Sequence, residues 1–293
     1  MNSIKNALIH SVLFIAAVLA VFPILVVFSN SFMSGFELVN RYSQGVRVGN
    51  ELHTTVIHTG AAVHYVRLTL IPSFASVEQY AGILFRQSFY LEMFWNSIVL
   101  AFPIVAGQLL ISAPAAYAFH FSRLRFKEGL YFIYIIFMLL PLQIVLVPHF
   151  IVADWLGMLD SRWAIVLPAM VNPLGVFIIR QYMRGLTLDY IEAAQIDGAG
   201  QLRILATIVA PLIKPAFAAL AILCFVENWN LVEQPLIFLT EYQFPLSLYL
   251  ARMAEGHMNI IFSASFLYLL PPVLIYLYWN EHMVEGIILS GVK

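Results

Sequence analysis

Long apolar runs separated by short polar segments dominate the chain. Six runs reach or approach the roughly 20 mostly apolar residues that a helix needs to cross hydrocarbon. They fall at about 7–29, 93–118, 130–150, 163–180, 212–239 and 260–279. The fourth is short and the fifth is interrupted by polar residues. Pro23, Pro103, Pro114, Pro141, Pro148 and Pro168 lie inside them. Packed membrane helices tolerate proline because neighbours satisfy the freed backbone groups, so kinked spans are expected. A kinked bundle suits a gated path, although each kink alone is equally an ordinary irregularity. The first run, Ala7 to Phe28, is longer than the apolar core of a secretory leader, and no clear A-x-A site follows. It is expected to stay as an uncleaved span.

Polar segments between the runs carry most of the remaining information. Residues 30–92 form a long extramembrane loop with strand character at Val46-Arg47-Val48 and, with period two, at Val66 to Leu70. His53, His58 and His64 sit in it, but spacings of five and six place them on no single strand face, so no metal site is expected. Between the fourth and fifth runs lies an ion-rich island, Arg180 to Pro215, with Arg184, Asp189, Glu192, Asp197, Arg203 and Lys214. Ions at membrane depth are costly, so the island must be a structured loop on one membrane face. Thr187 or Asp189 can cap a helix through Ala194. Gly198 and Gly200 break it where positive φ is needed. A second helix then runs from about Gln201 to Ala210 and stops before Pro211, with an apolar stripe of Leu202, Leu205 and Ile208 or Val209.

Composition agrees with the hydropathy. The chain of 293 residues is 61% hydrophobic and only 11% charged, against about 25% charged in a soluble domain. A net charge of −1 gives no reason to expect nucleic-acid binding. The single cysteine, Cys224, excludes an internal disulfide. If the N-terminus is cytoplasmic, the inside segments hold nine basic residues and the outside six. Four of those six lie in the long first loop, where the positive-inside rule weakens. The island and both termini are therefore expected in the cytoplasm. Arg123, Arg125 and Lys127 close the second span, and anchoring at anionic headgroups accounts for them.

The island also carries a motif. Glu192-Ala193-Ala194, three residues, Gly198, nine residues, Ile208, then Pro211 resembles the EAA loop of membrane subunits of bacterial ATP-binding-cassette importers. Ala210 stands where that family has leucine. The longer run Glu192 to Ala199 is similar to the carbohydrate-uptake subfamily of maltose and oligosaccharide type. So are Asn96-Ser97, Ala115 to Ala118, the Trp229-Asn230 pair and the ending Val284 to Lys293. The likeness covers the chain before Phe36 and after about Pro72, leaving 36–72 as an insertion. It implies an all-α membrane protein, a single permease domain over 1–293 with about six transmembrane helices. It further implies an extended periplasmic loop at 30–92 and a cytoplasmic coupling loop at 181–211. Glu192, Ala193, Ala194, Asp197, Gly198, Ile208 and Pro211 would engage a nucleotide-hydrolysing dimer. The further partners implied are a second, homologous permease, a solute-binding protein and the bilayer of the bacterial inner membrane. That binding protein would dock on the insertion, and deleting 40–70 tests this.

Polar residues in the fifth run mark the substrate path. Glu227, Asn228, Trp229, Asn230, Glu233 and Gln234 are costly at membrane depth and point to a water-filled cavity or to structural pairing. Asn230, Glu233 and Gln234 would share a helix face. Rings beside carboxylates and amides suit a sugar or oligosaccharide. No phosphate-binding loop G-x-x-x-x-G-K-S/T is present, so ATP and magnesium would belong to the partner ATPase and this chain would bind no cofactor and perform no catalysis. The alternative is an ion-gradient secondary transporter coupled through Glu227 and Glu233. It leaves the island unexplained, and no inverted repeat is evident.

Overall fold

The computed structural model describes residues 2–42, 47–48, 51–52, 70–86, 88–122, 124–187, 189–253 and 260–291. The three loop histidines, the 66–69 part of the expected strand, Arg123 and Lys293 lie outside these residues. Contacts group into two units, Met1–Glu92 with Tyr249–Leu270, and Met93–Leu248 with Pro271–Lys293.

The first unit begins with α1 (Asn2–Ser31), whose most apolar window is 0% buried. A helix apolar on every side belongs in hydrocarbon. Its end is tied down by polar contacts. Ser263 Oγ donates to Ser31 O at 2.8 Å, and Tyr80 OH donates to Ser31 Oγ at 2.5 Å. Helix α2 (Gly35–Tyr42) carries buried Glu37, whose carboxylate accepts the N–H groups of Ser73 and Phe74 at 2.9 and 3.2 Å. Strands β1 (Arg47–Val48) and β2 (Glu51–Leu52) pair antiparallel with Arg47 opposite Leu52. A short helix α3 (Glu78–Ala81) widens into a π turn at Gly82–Arg86.

Helix α4 (Ser88–Phe121) supplies the second span. The third run is not one rod. Helices α5 (Lys127–Ile136) and α6 (Leu142–Trp155) meet at 102°, with Leu140 and Pro141 extended at the joint. Proline lacks the N–H that would continue the helix and disfavours helical geometry before it. The fourth span joins α7 (Trp163–Ala169) to α8 (Pro173–Met183). Helix α12 (Lys214–Trp229) carries the fifth and stops at Trp229, well short of residue 239. Leu231 and Val232 are not helical, and α13 (Glu233–Phe238) starts afresh. Asn230, Glu233 and Gln234 therefore do not share one continuous helix face. Helices α14 (Leu246–Met253) and α15 (Ile261–Gly291) complete the chain, the sixth span being Ile261–Asn280.

Two of the broken helices of the second unit are repaired by side chains. In an α-helix the carbonyl of residue i accepts from the N–H of residue i+4, which proline lacks. Ala169 O lies at the end of α7, where the helix stops before the extended Asn172, and accepts from Gln108 Nε2 at 2.8 Å. Ala164 O precedes Pro168 by four and is met by His149 Nε2 at 2.7 Å. A carbonyl can only accept, so His149 donates. Helix α8 restarts with Asn172 as its N-cap, Oδ1 accepting from Leu174 N at 2.9 Å. The helices approach closely. A Cβ on Gly175 would lie 2.4 Å from Ser112 Oγ of α4, so a side chain there would have to push Ser112 aside. The core of this unit is Leu100, Ile104, Ile165, Ile179, Met183 and Trp229 with their neighbours.

Candidate functional site

The island folds as two short helices. Helix α9 (Asp189–Ile196) buries Ile191 and Ala194 and exposes Tyr190, Glu192, Ala193 and Ile196. Tyr190 is 59% and Ile196 86% exposed, apolar surface that a helix outside the membrane does not ordinarily leave in water. Its end is a Schellman cap. Gly198 adopts φ +80°, Gly198 N donates to Gln195 O at 3.0 Å, and Ala199 N donates to Ala194 O at 2.9 Å. Gly200 is different. Its φ of −71° and ψ of 157° are ordinary extended values, and it serves as N-cap of α10 (Gln201–Ile204). Positive φ is thus needed once in the turn.

The second helix continues through a π turn at Leu205–Val209 into α11 (Ala210–Leu212), so it passes Pro211 instead of stopping before it. Pro211 follows the π turn directly, so its missing N–H falls where the regular i→i−4 ladder is already interrupted. The buried stripe is Ile204, Leu205 and Val209 with Ile208 half-buried, whereas Leu202 is 77% exposed. A break at Ile213 then turns the chain by 81° into α12.

Side chains that the hydropathy pattern did not single out join the island to the spans. Tyr117, from the Ala115 to Ala118 run, donates its hydroxyl to Gln201 Oε1 at 2.7 Å. Lys127 Nζ donates to His120 O and Ser122 O at 2.8 and 2.9 Å. It caps the end of α4, where a cation is favoured. Arg180 is 3% exposed, bonds Glu128 Oε1 at 2.5 Å and lies 3.8 Å above the Tyr131 ring. A cavity of about 940 Å³ opens between the end of α4 and α9, walled by Tyr117, His120, Lys127, Ile191, Glu192 and Gln195. Of the motif residues, Asp197 and Pro211 are exposed and Ile208 is half-buried.

The polar residues after the island divide. Trp229 is 0% exposed, stacked on Phe225 at 5.2 Å and edge-on to Phe94 at 5.6 Å. Asn228 is 7% exposed and turns back to Cys224 O at 2.8 Å. Neither lies on an open face. Glu227, Asn230 and Glu233 are exposed, and Gln143 Nε2 reaches both oxygens of Glu233 at 3.2 Å. Among the described residues no cluster could hold a metal ion.

The Asn96-Ser97 pair has a structural role of its own. Asn96 Nδ2 donates to Tyr242 O and Phe244 O at 2.8 and 3.1 Å, and Leu246 N donates to Ser97 Oγ at 2.8 Å. Arg162 Nη2 donates to Asn96 Oδ1 at 2.7 Å. The segment after α13 is thereby fastened to the start of α4.

Comparison with known proteins agrees with this architecture. The family profile described as binding-protein-dependent transport system inner membrane component matches residues 108–288. The chain is 30% identical over 232 residues to the arabinooligosaccharides transport system permease protein AraQ of Bacillus subtilis (strain 168), covering 78% of this chain and 83% of AraQ. It is also 30% identical over 238 residues to the sn-glycerol-3-phosphate transport system permease protein UgpE of Escherichia coli (strain K12), covering 78% and 85%. A chain in the crystal structure of a bacterial ABC transporter involved in the import of the acidic polysaccharide alginate superposes with a TM-score of 0.76 at 23% identity, covering 96% of both chains.

Proposed function

The chain belongs to the binding-protein-dependent transport inner-membrane components, and from that premise we propose that it carries a saccharide through the inner membrane as one of two permeases, driven by a separate ATPase. It is a permease subunit of an importer of this class, and the family match gives the ion-gradient alternative no support. The saccharide class rests on AraQ and on the exposed carboxylates and amide of Glu227, Glu233 and Asn230. The observation that carries the coupling role is α9. It is a short helix with a fixed glycine cap, and its outer face leaves Tyr190 and Ile196 exposed beside Glu192. That face fits a groove on the ATPase.

In this reading Glu192, Ala193, Ala194, Asp197, Gly198, Ile208 and Pro211 form the handle, with Glu192 toward a basic partner group. Closure of the ATPase dimer moves α9. Spans four and five, attached on either side, then switch access, because α9 binds the two ATPase states with different affinity. Glu227, Asn230 and Glu233 are the exposed candidates for the path, and Asn228 and Trp229 hold the wall behind them. ATP and magnesium are bound by the ATPase, the solute-binding protein delivers substrate from the opposite side, and both termini face the cytoplasm. The test is reconstitution with its ATPase, second permease and binding protein. Uptake that requires ATP and is abolished by vanadate is expected. Uptake that follows an imposed proton gradient without ATP would refute the reading.

A further inference from the structure

Three spans are pinned together at one level within the first unit. Ser31, at the end of α1, accepts from Ser263 near the start of the sixth span. Tyr90, near the start of the second, donates its hydroxyl to Ala264 O at 3.0 Å. Helix α3 hangs from the same level, because Tyr80 donates to Ser31 Oγ. Chain length puts α2 there too. Only Phe32, Met33 and Ser34 separate it from α1, a reach of about 14 Å at full extension. Span ends are where hydrocarbon gives way to headgroups, so α2 and α3 lie at the membrane interface.

The elements at this level are built inside out. Glu37 is buried, and its carboxylate holds the N–H groups of Ser73 and Phe74. Ser76 N donates to Phe32 O at 2.8 Å, and Met33 bridges to Ala75. The backbone over 73–76 is thus fixed along the chain that leaves α1. Yet Phe36, Ile71, Phe74, Val77 and Phe85 are each between 66% and 86% exposed. Water imposes the opposite order, with carboxylates outside and rings inside. Exposed apolar side chains in such number mark a surface that something covers. The chain enters this surface directly from α1, whose Leu13, Phe14 and Leu19 are exposed to lipid.

We infer that α2, the 70–77 segment and α3 with its π turn form an interfacial collar, clamped by Glu37, whose rings rest in the bilayer where α1 ends. Aromatic side chains favour the headgroup boundary, and an interfacial element sinks its apolar face about 5–10 Å into it. Glu78 and Arg86, exposed and paired at 3.9 Å, keep to the water side. The collar supplies what α1 lacks. The most apolar window of that helix is 0% buried, so no packing along it sets its depth, and the collar does.

In a Cys224→Ser background, nitroxide labels are placed singly at Phe36→Cys, Phe74→Cys, Phe85→Cys, Glu78→Cys and Leu13→Cys. The transporter is reconstituted in nanodiscs of phosphatidylcholine and phosphatidylglycerol. Oxygen collects among acyl chains and a nickel chelate stays in water, so the ratio of their collision rates reports depth. At the three ring positions this ratio should exceed that at Glu78 several-fold, with Leu13 marking full immersion. A ring ratio equal to that at Glu78 overturns the inference. Shielding from both reagents also overturns it, since a protein partner would then cover this face. Glu37→Ala should lower the ratio at Phe74 several-fold while Leu13 keeps its value, and an unchanged ratio at Phe74 overturns the clamp.

Discussion

At Gly198 the backbone sits at φ +80°, and a Cβ there would meet nothing within 4 Å. The obstacle to substitution is torsional, not steric. A left-handed conformation costs a residue with a side chain about 1–2 kcal/mol, more when it is β-branched. Gly198→Val should therefore insert normally yet loosen α9, lowering uptake per ATP hydrolysed several-fold, while Gly198→Asn should behave nearly as wild type. Parallel transport and hydrolysis assays on the reconstituted complex check this. Tyr117→Phe removes one hydroxyl contact to Gln201, worth about 1 kcal/mol, and should reduce the same ratio by a smaller amount. Gly198 was legible in the sequence because a glycine after a good helix former has few other uses. Trp229 was not. Its polar neighbours made it resemble a path residue, and nothing in one-dimensional order reveals that the indole turns toward Phe225.

The elements tell a related story. Spans one, two, four and six were readable because length and apolarity alone define them. The third hid its joint, since apolar residues continue across Leu140 and Pro141, and the fifth hid its end, since nothing in the order of residues marks the stop at Trp229. Where a helix is interrupted, the structure spends a polar side chain to repair it. Gln108→Leu should leave Ala169 O unsatisfied and lower thermal stability by the equivalent of about 1–3 kcal/mol. Arg180 and Glu128 link α8 to α5 directly above the island. Glu128→Gln leaves a buried guanidinium without its anion, which destabilises the fold, and solvent screening at Glu128, 64% exposed, tempers the loss. Reduced Tm is expected, with partial recovery in Glu128→Asp.

For the molecule as a whole, the buried sole cysteine makes sidedness measurable. In a Cys224→Ser background, a single cysteine at Ile196 should react with a membrane-impermeant maleimide in inverted vesicles and not in intact cells. The opposite labelling would place the island outside and remove the coupling role. The same background with a cysteine at Asp160 should show the reverse pattern. The broad class was legible from hydropathy and one motif. Which polar residues face a path was not, because that depends on how helices rotate about their axes, and rotation leaves no mark on composition.

The elbow in the third run sets a limit on how far that run can reach. Each arm holds 13 or 14 residues, Lys127–Leu139 and Leu142–Trp155, so each is about 20 Å long. With their axes 102° apart, tip to tip they reach only about 25 Å, less than the roughly 30 Å of an average hydrocarbon slab. At that reach the elbow need not cross the slab from face to face; it is a broken span or a re-entrant loop, and the four unbroken helices, not this one, are matched to the thickness of the host membrane.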